Sequence, residues 1–399
     1  MTSSGAALPG VLSAERMTLV GHNDLAGMGD CMHVNVVDGY AYIGHMGTTP
    51  IGTSIVDVRD PENPTLVHQI SRPQGTHSHK VQVVGDLLLV NHEKNRFEEK
   101  SPERWSAGLA IYDVSRPAKP RQIGFFETPG VGTHRMTYWD PPYAYVSATD
   151  DGYDGRILRI VDLSDPTKPV EVGRWWYPGQ HVAAGEQPGW RTVTDDVRGP
   201  RPREVGLHHV LPYGDDRVYG GWWDGGLVCL DVSDKGRPFA LSVLDLGAGS
   251  ANTHTAQRLP GRELLVVTDE QLTKWIGVQR DVRVVDVSNE SDPRVLSHFP
   301  VPSPSLLDEG VRFGPHNLHE MRPGSFVDGD LVYVTYFAGG LRAVDVSDPM
   351  RPVEVAHVVP EAPVGRETVQ INDVTVTADG VLFLTERHAG GLYIAVHER

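Results

Sequence analysis

Cysteine is almost absent from this 399-residue sequence, which contains only Cys31 and Cys229 and no Cys-x-x-Cys pair. Two thiols are too few for the disulfide framework of a small secreted domain. The first residues also lack the basic and then apolar pattern of a secretory signal peptide. These absences favour a reduced protein of the cytoplasm.

Basic charge and long apolar runs are scarce as well. The chain has 36 Lys and Arg against 52 Asp and Glu, which gives a formal net charge of −16. Nucleic acids and anionic membrane surfaces bind basic faces, and a membrane span needs about 20 apolar residues. We therefore expect neither nucleic acid nor membrane as a partner. The sequence leaves the oligomeric state open.

Familiar catalytic motifs are also missing. The sequence has no Gly-x-Gly-x-x-Gly opening a helix, no P-loop and no Gly-x-Ser-x-Gly elbow. These motifs mark dinucleotide sites, phosphate-binding loops and activated serines. We expect no nucleotide cofactor and no conventional nucleophile, so that a bound metal would carry any reaction.

Glycine and proline are plentiful, with 43 and 30 residues, and one short motif recurs among the turns they predict. It reads Asp-Val-Ser-Asp-Pro after an apolar residue. Its proline presets a turn, and its aspartate and serine oxygens accept backbone N–H groups at a strand exit. We therefore give these aspartates a structural role. Six versions occur, at 56–61, 112–117, 161–166, 230–234, 285–293 and 344–349.

Histidine marks a second recurring position, just ahead of a strand-like run. Cys31 and Asn372 fill two further places of the same kind. Adjacent places are separated by between 46 residues (31 to 77) and 74 residues (134 to 208), which suits blades of four short strands. The five histidines are His77, His134, His208, His254 and His316.

These repeats predict an all-β fold, a seven-bladed β-propeller of four-stranded antiparallel blades. The last unit lacks a fourth strand, and residues 17–22 resemble residues 353–357 at the end of the sixth unit. We therefore expect the N-terminal strand to close the propeller. Residues 1–13 are expected to be disordered, residues 14–399 to form a single domain, and residues 179–205 to form an inserted lid loop.

The Asp-Val-Ser-Asp-Pro segments, with the apolar strands before them, resemble the LVIVD-repeat family of β-propellers over residues 17–399. The resemblance implies a propeller scaffold and assigns no activity, because function belongs to the site. Members of this family often look exported or surface-anchored. The sequence departs from them in lacking a signal peptide.

The first strands of propeller blades line a central channel, so we expect the five histidines to converge. Imidazole suits zinc, copper, iron and nickel. Three or four of the five would bind one ion, and the others would contact the substrate or orient the ligands. The structural alternative is a polar ring that binds water.

Further candidates surround these histidines. Acidic residues at the ends of second strands are candidates for catalysis and for orienting the imidazoles, namely Glu93, Asp269, Glu270 and Glu386. Candidates for substrate binding are His33 and His79, placed one layer deeper by strand alternation, with His319, Trp223 and Tyr336. The same alternation predicts that Arg135 and His209 face away.

The preferred hypothesis is a metal-dependent oxidoreductase with one transition-metal ion, iron or copper, and a small-molecule organic substrate. The arrangement is similar in geometry to carotenoid-cleaving oxygenases and to selenium-binding propellers. A second hypothesis is a lyase, isomerase or hydrolase that uses zinc, manganese or magnesium as a Lewis acid. A third is a non-enzymatic scaffold for protein partners.

Overall fold

The computed structural model describes residues 8–98, 102–187, 192–195, 199–246, 252–272 and 280–398. These segments contain 31 β-strands and two short 3-10 helices, so the predicted all-β class is confirmed. Within them, neither helix has the length and apolar character that a membrane-spanning helix needs.

The strands form mainly antiparallel sheets of four. The first two, β1 (Val11–Glu15) and β2 (Met17–Asn23), join strands from the end of the chain. Three sheets follow in chain order. The first consists of β3 (Cys31–Val37), β4 (Tyr40–His45), β5 (Ile51–Asp57) and β6 (Thr65–Ser71), and the second of β7 (Thr76–His77), β8 (Val81–Val84), β9 (Leu87–Lys94), β10 (Gly108–Asp113) and β11 (Arg121–Glu127). The third consists of β12 (Thr133–Asp140), β13 (Tyr143–Ala148), β14 (Ile157–Asp162) and β15 (Val170–Trp175).

An insertion comes next, with a 3-10 helix at Val182–Ala184 and a two-stranded sheet of β16 (Thr192–Asp195) and β17 (Gly199–Pro202). The following eight strands form one sheet, in which two groups of four are joined at the pair Trp223 and Thr253. They are β18 (Val205–Tyr213), β19 (Arg217–Trp223), β20 (Leu227–Asp231), β21 (Phe239–Leu244), β22 (Thr253–Arg258), β23 (Leu264–Asp269), β24 (Val282–Asp286) and β25 (Arg294–His298).

The last two sheets include the N-terminal strands. A 3-10 helix at Pro304–Leu307 precedes them. In one sheet β1 lies beside β28, and in the other β2 lies beside β31. Their remaining strands are β26 (Leu331–Thr335), β27 (Leu341–Asp345) and β28 (Val353–Pro360), and β29 (Ile371–Val376), β30 (Val381–Glu386) and β31 (Gly391–His397).

The N-terminal strands bear on the predicted chain ends. As expected, β2 supplies the outer strand for the last three strands, with Met17 opposite His397. The prediction of disorder for residues 1–13 is wrong for Val11–Ser13, which belong to β1. Residues 1–7 lie outside the described residues. Pairing with β28 gives the backbone groups of β1 their hydrogen bonds. The sequence did not indicate this pairing.

The recurring Asp-Val-Ser motif forms the predicted turn after the third strand. In each case the aspartate Oδ1 accepts the backbone N–H of the residue two positions later. The five Asp–Ser cases have N–O distances of 2.7 to 3.0 Å, and Asp57 accepts from Arg59 at 3.1 Å. Local turn chemistry therefore accounts for the motif.

The apolar core lies between neighbouring sheets. One cluster joins Leu89 and Ile111 of one sheet to Met136 and Val146 of the next. The first sheet packs in the same way on the last, where Ile43 meets a cluster that includes Phe383, Leu392 and Ile394. In both cases apolar side chains of one sheet are buried against those of its neighbour.

Glycine in an outer strand permits one such close approach. A Cβ on Gly124 would lie well inside van der Waals contact with the carbonyl oxygen of Pro166 in the neighbouring sheet. Gly173 faces Lys235 in the same way, one sheet further on. These glycines therefore set how closely the outer strands approach the turns beside them.

We expect Gly124→Ala to lower the free energy of unfolding by about 1–3 kcal/mol, because the added methyl group must push backbone away. Urea unfolding followed by tryptophan fluorescence measures this change. The control is Gly214→Ala, since no heavy atom lies within 4 Å of a Cβ built there. Equal midpoints for the two variants would contradict the packing described here.

Candidate metal centre

A β-bulge occurs near the start of the first strand in several sheets. In β12, Thr133 pairs with Ala148 and Arg135 with Ser147, so His134 has no partner residue. The same shift, in which two residue steps face one, occurs in β3, β22 and β29, and a larger one, in which four face two, precedes His209 in β18. A bulge breaks strand alternation, so the bulged residue and the one after it can both face the interior.

The strand registers align one residue per unit with His134. We call the aligned set the head row. Two of its members differ from the prediction. Met32 replaces Cys31, whose side chain is fully buried in the core, and His79 replaces His77. The head row consists of Met32, His79, His134, His208, His254, His316 and Asn372.

The structure brings the imidazoles of the head row into one continuous series of ring contacts. Ring centroids are 4.9 Å apart for His79 and His134, 4.7 Å for His134 and His208, 3.9 Å for His208 and His254, and 4.6 Å for His254 and His316. His77 stacks on His79 at 3.9 Å. The five predicted histidines therefore converge, and His79 is a sixth member of the cluster.

Oxygen atoms behind the rings fix the orientation of two imidazoles. His134 Nδ1 donates to Glu93 Oε2 at 2.9 Å, and Arg156 donates to the other oxygen of Glu93 at 2.8 Å. His316 Nδ1 donates to the backbone oxygen of Asn372 at 2.6 Å. In a neutral imidazole this leaves Nε2 with its lone pair free. Such oriented rings are what metal-binding histidines use.

Several ring nitrogens face one another. His134 Nε2 lies 3.0 Å from His208 Nε2. His208 Nδ1 and His254 Nε2 are buried and have no hydrogen-bond partner among the described residues. Buried polar atoms without a partner are rare and call for a missing ligand or water. The arrangement therefore has the free donor atoms that a metal site needs.

Carboxylates complete two sets of potential ligands. Glu270 lies 3.9 Å from His254 Nε2 and 3.5 Å from His316 Nε2, and it also accepts from Arg312 at 2.9 Å. The ligand atoms of His208, His254 and Glu270 all lie within 4.8 Å of one another. The same holds for His77, His79 and Glu93.

Burial keeps these imidazoles neutral. It lowers the pKa of His134 to about 3 and that of His77 to about 4. Burial and neighbouring charge also hold the pKa values of His208, His254 and His316 well below the usual range. Burial alone would raise the pKa of Glu93, but His134 and Arg156 together hold it below its usual range. At neutral pH the ring nitrogens can therefore bind a metal without first losing a proton.

The residues after the head row form a second, charged layer, which we call the second row. Arg135 donates to Glu320 at 2.5 Å and to Asn317 at 3.0 Å. His209 Nε2 lies 3.5 Å from Glu320, and His33 Nε2 lies 3.7 Å from Asp373. The second row consists of His33, Lys80, Arg135, His209, Thr255, Asn317 and Asp373.

Two side chains of the second row have an orientation that differs from the prediction. Arg135 and His209 were predicted to face away, and the bulges turn both inward. His33 lies one layer deeper than the head row, as expected, beside Glu320. Sequence reasoning missed Glu320, which is 6% exposed, because no repeat motif marks it.

Two of the four candidate carboxylates are engaged away from the imidazoles. Asp269 pairs with Arg283 at 2.9 Å. Glu386 accepts backbone N–H groups from Gln370 and from residues 388–390. Burial raises the pKa of both carboxyl groups. The structure therefore brings Glu93 and Glu270 to the histidines, whereas Asp269 and Glu386 hold nearby loops and strands.

Aromatic residues with positive φ angles approach the site. Trp223 has φ 50° and lies 6.2 Å from the ring of His208. Phe337 has φ 48° and stacks on His316 at 4.8 Å. Tyr336, the predicted substrate contact, instead packs in a core cluster at 4% exposure. At these two places a left-handed residue, at the end of β19 or just after β26, turns the aromatic ring toward the head row, which strand alternation could not reveal.

His319 also lies elsewhere than predicted. Its Nδ1 accepts the backbone N–H of Val376 at 3.2 Å, and its Nε2 donates to the backbone oxygen of Phe326 at 2.9 Å. Both ring nitrogens are therefore used to join strands. His319 has a structural role here in place of the expected contact with substrate.

A cavity of about 200 Å³ lies over the head row. It is lined by five of the clustered histidines, by the carboxylates Glu93 and Glu270, by Trp223 and by several cationic side chains. A neighbouring cavity of about 430 Å³ shares Arg96, Arg156 and Trp223 with it and is also lined by Pro202 to Gly206. The end of the 179–205 insertion thus lies next to the site. Residues 188–191 and 196–198 of the insertion lie outside the described residues, and 192–195 are described by their backbone alone.

Comparison with known proteins identifies the repeat and the fold. The LVIVD repeat matches residues 28–71, 142–176, 216–243, 275–299 and 326–359, so the resemblance found in the sequence is confirmed. No curated protein matches the sequence.

Solved β-propeller structures are similar over most of the chain. A periplasmic gluconolactonase of Pseudomonas aeruginosa is 13% identical with a TM-score of 0.58, covering 90% of this chain and 96% of that one. A hypothetical selenium-binding protein of Sulfolobus tokodaii is 13% identical with a TM-score of 0.57, covering 90% and 91%. A protein from Lactobacillus plantarum gives 13%, 0.58, 88% and 93%. At this identity the likeness concerns the fold alone.

The hydrogen bonds of His319 predict an acid-sensitive stability. Burial lowers its pKa to about 4, whereas an unfolded histidine titrates near 6.5. Between pH 4 and pH 6.5, His319 is therefore protonated in the unfolded chain and neutral in the folded chain. Stability therefore falls as pH decreases from 6.5 to 4, by roughly 3 kcal/mol for this residue.

We expect His319→Asn to be less stable than the parent at pH 7 and to have a flatter pH dependence between 6.5 and 4. The difference in slope should be about 1.4 kcal/mol per pH unit, the value for one proton. Urea unfolding of chelator-treated protein measures it. His68→Asn, on the outer strand β6, is the control and should keep the parental slope. An unchanged slope in His319→Asn would rule out this account.

Proposed function

We propose that this LVIVD-repeat protein is a metal-dependent enzyme, an oxidoreductase that holds one transition-metal ion at the head row and acts on a small organic substrate. The observation that carries the proposal is the set of converging, neutral and oriented ring nitrogens. His134 and His316 each donate from Nδ1 to an oxygen, so that Nε2 is free to bind a metal.

Distances support a shared ion at His134 and His208. Metal–nitrogen bonds to histidine are about 2.0–2.1 Å long, so two ligands at a right angle lie about 3 Å apart. The Nε2 atoms of His134 and His208 are separated by 3.0 Å. His254, whose Nε2 has no hydrogen-bond partner among the described residues, and Glu270 would be the next ligands.

The fold that presents these ligands is proposed to be a closed seven-bladed propeller. The packing of the first sheet on the last supports closure, and the two halves of the eight-stranded sheet count as separate blades. Each blade would then contribute one residue of the head row. A cytoplasmic location and a small-molecule partner remain predictions from the sequence.

Ligand chemistry favours a group that includes the proposed iron and copper over magnesium and manganese. Neutral imidazoles bind zinc, copper, iron and nickel, whereas magnesium and manganese prefer oxygen ligands. Glu93, which accepts a hydrogen bond from Nδ1 of His134, would increase the basicity of that imidazole. A bound redox metal would supply electron transfer to or from the substrate.

A second candidate is hydrolysis by a Lewis-acid ion such as zinc. The gluconolactonase among the similar structures gives this reading some support, at the level of fold. In either reaction the protein's own contribution is the same. Trp223 and Phe337 would exclude water beside the rings, and the 179–205 insertion would cover the cavity as a lid.

Metal content tests the proposal. We expect the purified protein to contain close to one equivalent of iron or copper, as measured by inductively coupled plasma mass spectrometry. His134→Ala and His208→Ala should each reduce metal content at least tenfold and remain folded by circular dichroism. His298→Ala, on the exposed strand β25, is the matched control and should keep its metal.

Two outcomes would change the conclusion. Zinc in place of iron or copper would favour the hydrolytic candidate. Absence of metal after incubation with iron, copper and zinc would leave the polar ring and a scaffold for protein partners as the function to pursue.

A further inference from the structure

Cationic side chains dominate the cavity over the head row, although the protein as a whole has a net charge of −16. Its two carboxylates are already engaged, Glu93 by His134 and Arg156, and Glu270 by Arg312. The cationic residues that line the cavity are Lys80, Lys94, Arg96, Arg156 and Arg387. A local excess of positive charge in an acidic protein indicates an anionic ligand.

Lys80 is the most informative of these residues. It is 2% exposed and lines the cavity from the second row. Its ammonium group has no ion pair or hydrogen bond within contact distance among the residues that the structure describes, and the carboxylates of Asp373 and Glu270 act on it only from longer range. A buried ammonium group without a contacting anion is costly, so the arrangement indicates that a ligand supplies a negative charge in direct contact with it.

Arg387 also lines the cavity, and it lies beside Asn372 of the head row. Its guanidinium donates to the side-chain oxygen of Asn372 at 3.2 Å and forms no ion pair within the described segments. The carboxylate of the preceding residue, Glu386, is occupied by backbone N–H groups. Arg387 therefore retains donors for a planar acceptor such as a carboxylate.

Met32 and Asn372 are the two head-row positions without an imidazole. Lys80 and Arg387 flank these positions, and His208 and His254 occupy the far side of the row. The site thus has a half with ring nitrogens and a half with cationic donors. A substrate anchored in the second half would extend toward the first.

We propose that the cavity binds a small organic carboxylate, whose negative charge lies between Lys80 and Arg387 while its other end faces the imidazoles. The proposal rests on the proposed function and names its substrate class. The volume of about 200 Å³ is below the ~300–1,000 Å³ of pockets for drug-sized ligands, so the anion is a small one.

Ligand-observed NMR titration tests the proposal, with pyruvate as the probe and propionamide as an uncharged molecule of similar size. Ionic strength is kept constant, and both chelator-treated and metal-loaded protein are used. We expect pyruvate to bind both forms and propionamide to bind neither. Lys80→Met and Arg387→Gln should each weaken pyruvate binding at least tenfold, because each removes one cationic donor.

The control variant is Lys119→Met, which removes an exposed lysine from a turn outside the cavity and should leave binding unchanged. Circular dichroism verifies that each variant is folded, and Arg387→Gln provides a second test if Lys80→Met does not fold. Equal pyruvate affinity in the parent and both site variants would overturn the proposal. Binding of inorganic phosphate without binding of pyruvate would also overturn it.

The two protein forms separate this inference from the metal proposal. Charge-dependent pyruvate binding by a protein that takes up no metal would preserve the anion site and refute the metal centre. Stoichiometric metal without pyruvate binding to either form would do the reverse.

Discussion

The β-bulge near the start of the first strands is the constraint on which the candidate site depends. A regular strand would send His134 and Arg135 to opposite sides, and the bulge lets both face inward. The unpaired backbone of the bulge is satisfied from the neighbouring unit, as when Asn372 Nδ2 donates to the backbone oxygen of Met32 at 2.5 Å. Adjacent bulges are therefore tied together, and the imidazoles they carry are held at fixed separations.

The charged second row gives these imidazoles a rigid base. Glu320 contacts Arg135, His209 and His33, which belong to three different sheets. Burying such a group costs desolvation energy that the ion pair only partly returns, so it contributes less to stability than to geometry. We infer that its main effect is to fix how the strands meet beneath the cavity. A metal site needs that precision, since ligand atoms displaced by half an ångström bind poorly.

The all-β class, the order of strands and the convergence of histidines were predictable because they depend on local patterns. Turn chemistry in the Asp-Val-Ser motif and the repeat spacing both lie in contiguous residues. The bulge has no such signature, and an error of one or two residues in its place assigned Cys31 and His77 to positions held by Met32 and His79. The sequence predicts Tyr336 at the site, where the structure places Phe337, for a related reason, since a positive φ angle at Phe337 cannot be read from alternation.

The first strands of the chain are paired with its last ones, β1 with β28 and β2 with β31. Open repeat arrays lose their terminal repeats first, because an end unit has a neighbour on one side only. Here a short segment, residues 11–23, spans two sheets, so β2 and β31 cannot separate without breaking the hydrogen bonds between them. Thermal denaturation should accordingly be a single cooperative event in place of a stepwise loss of repeats.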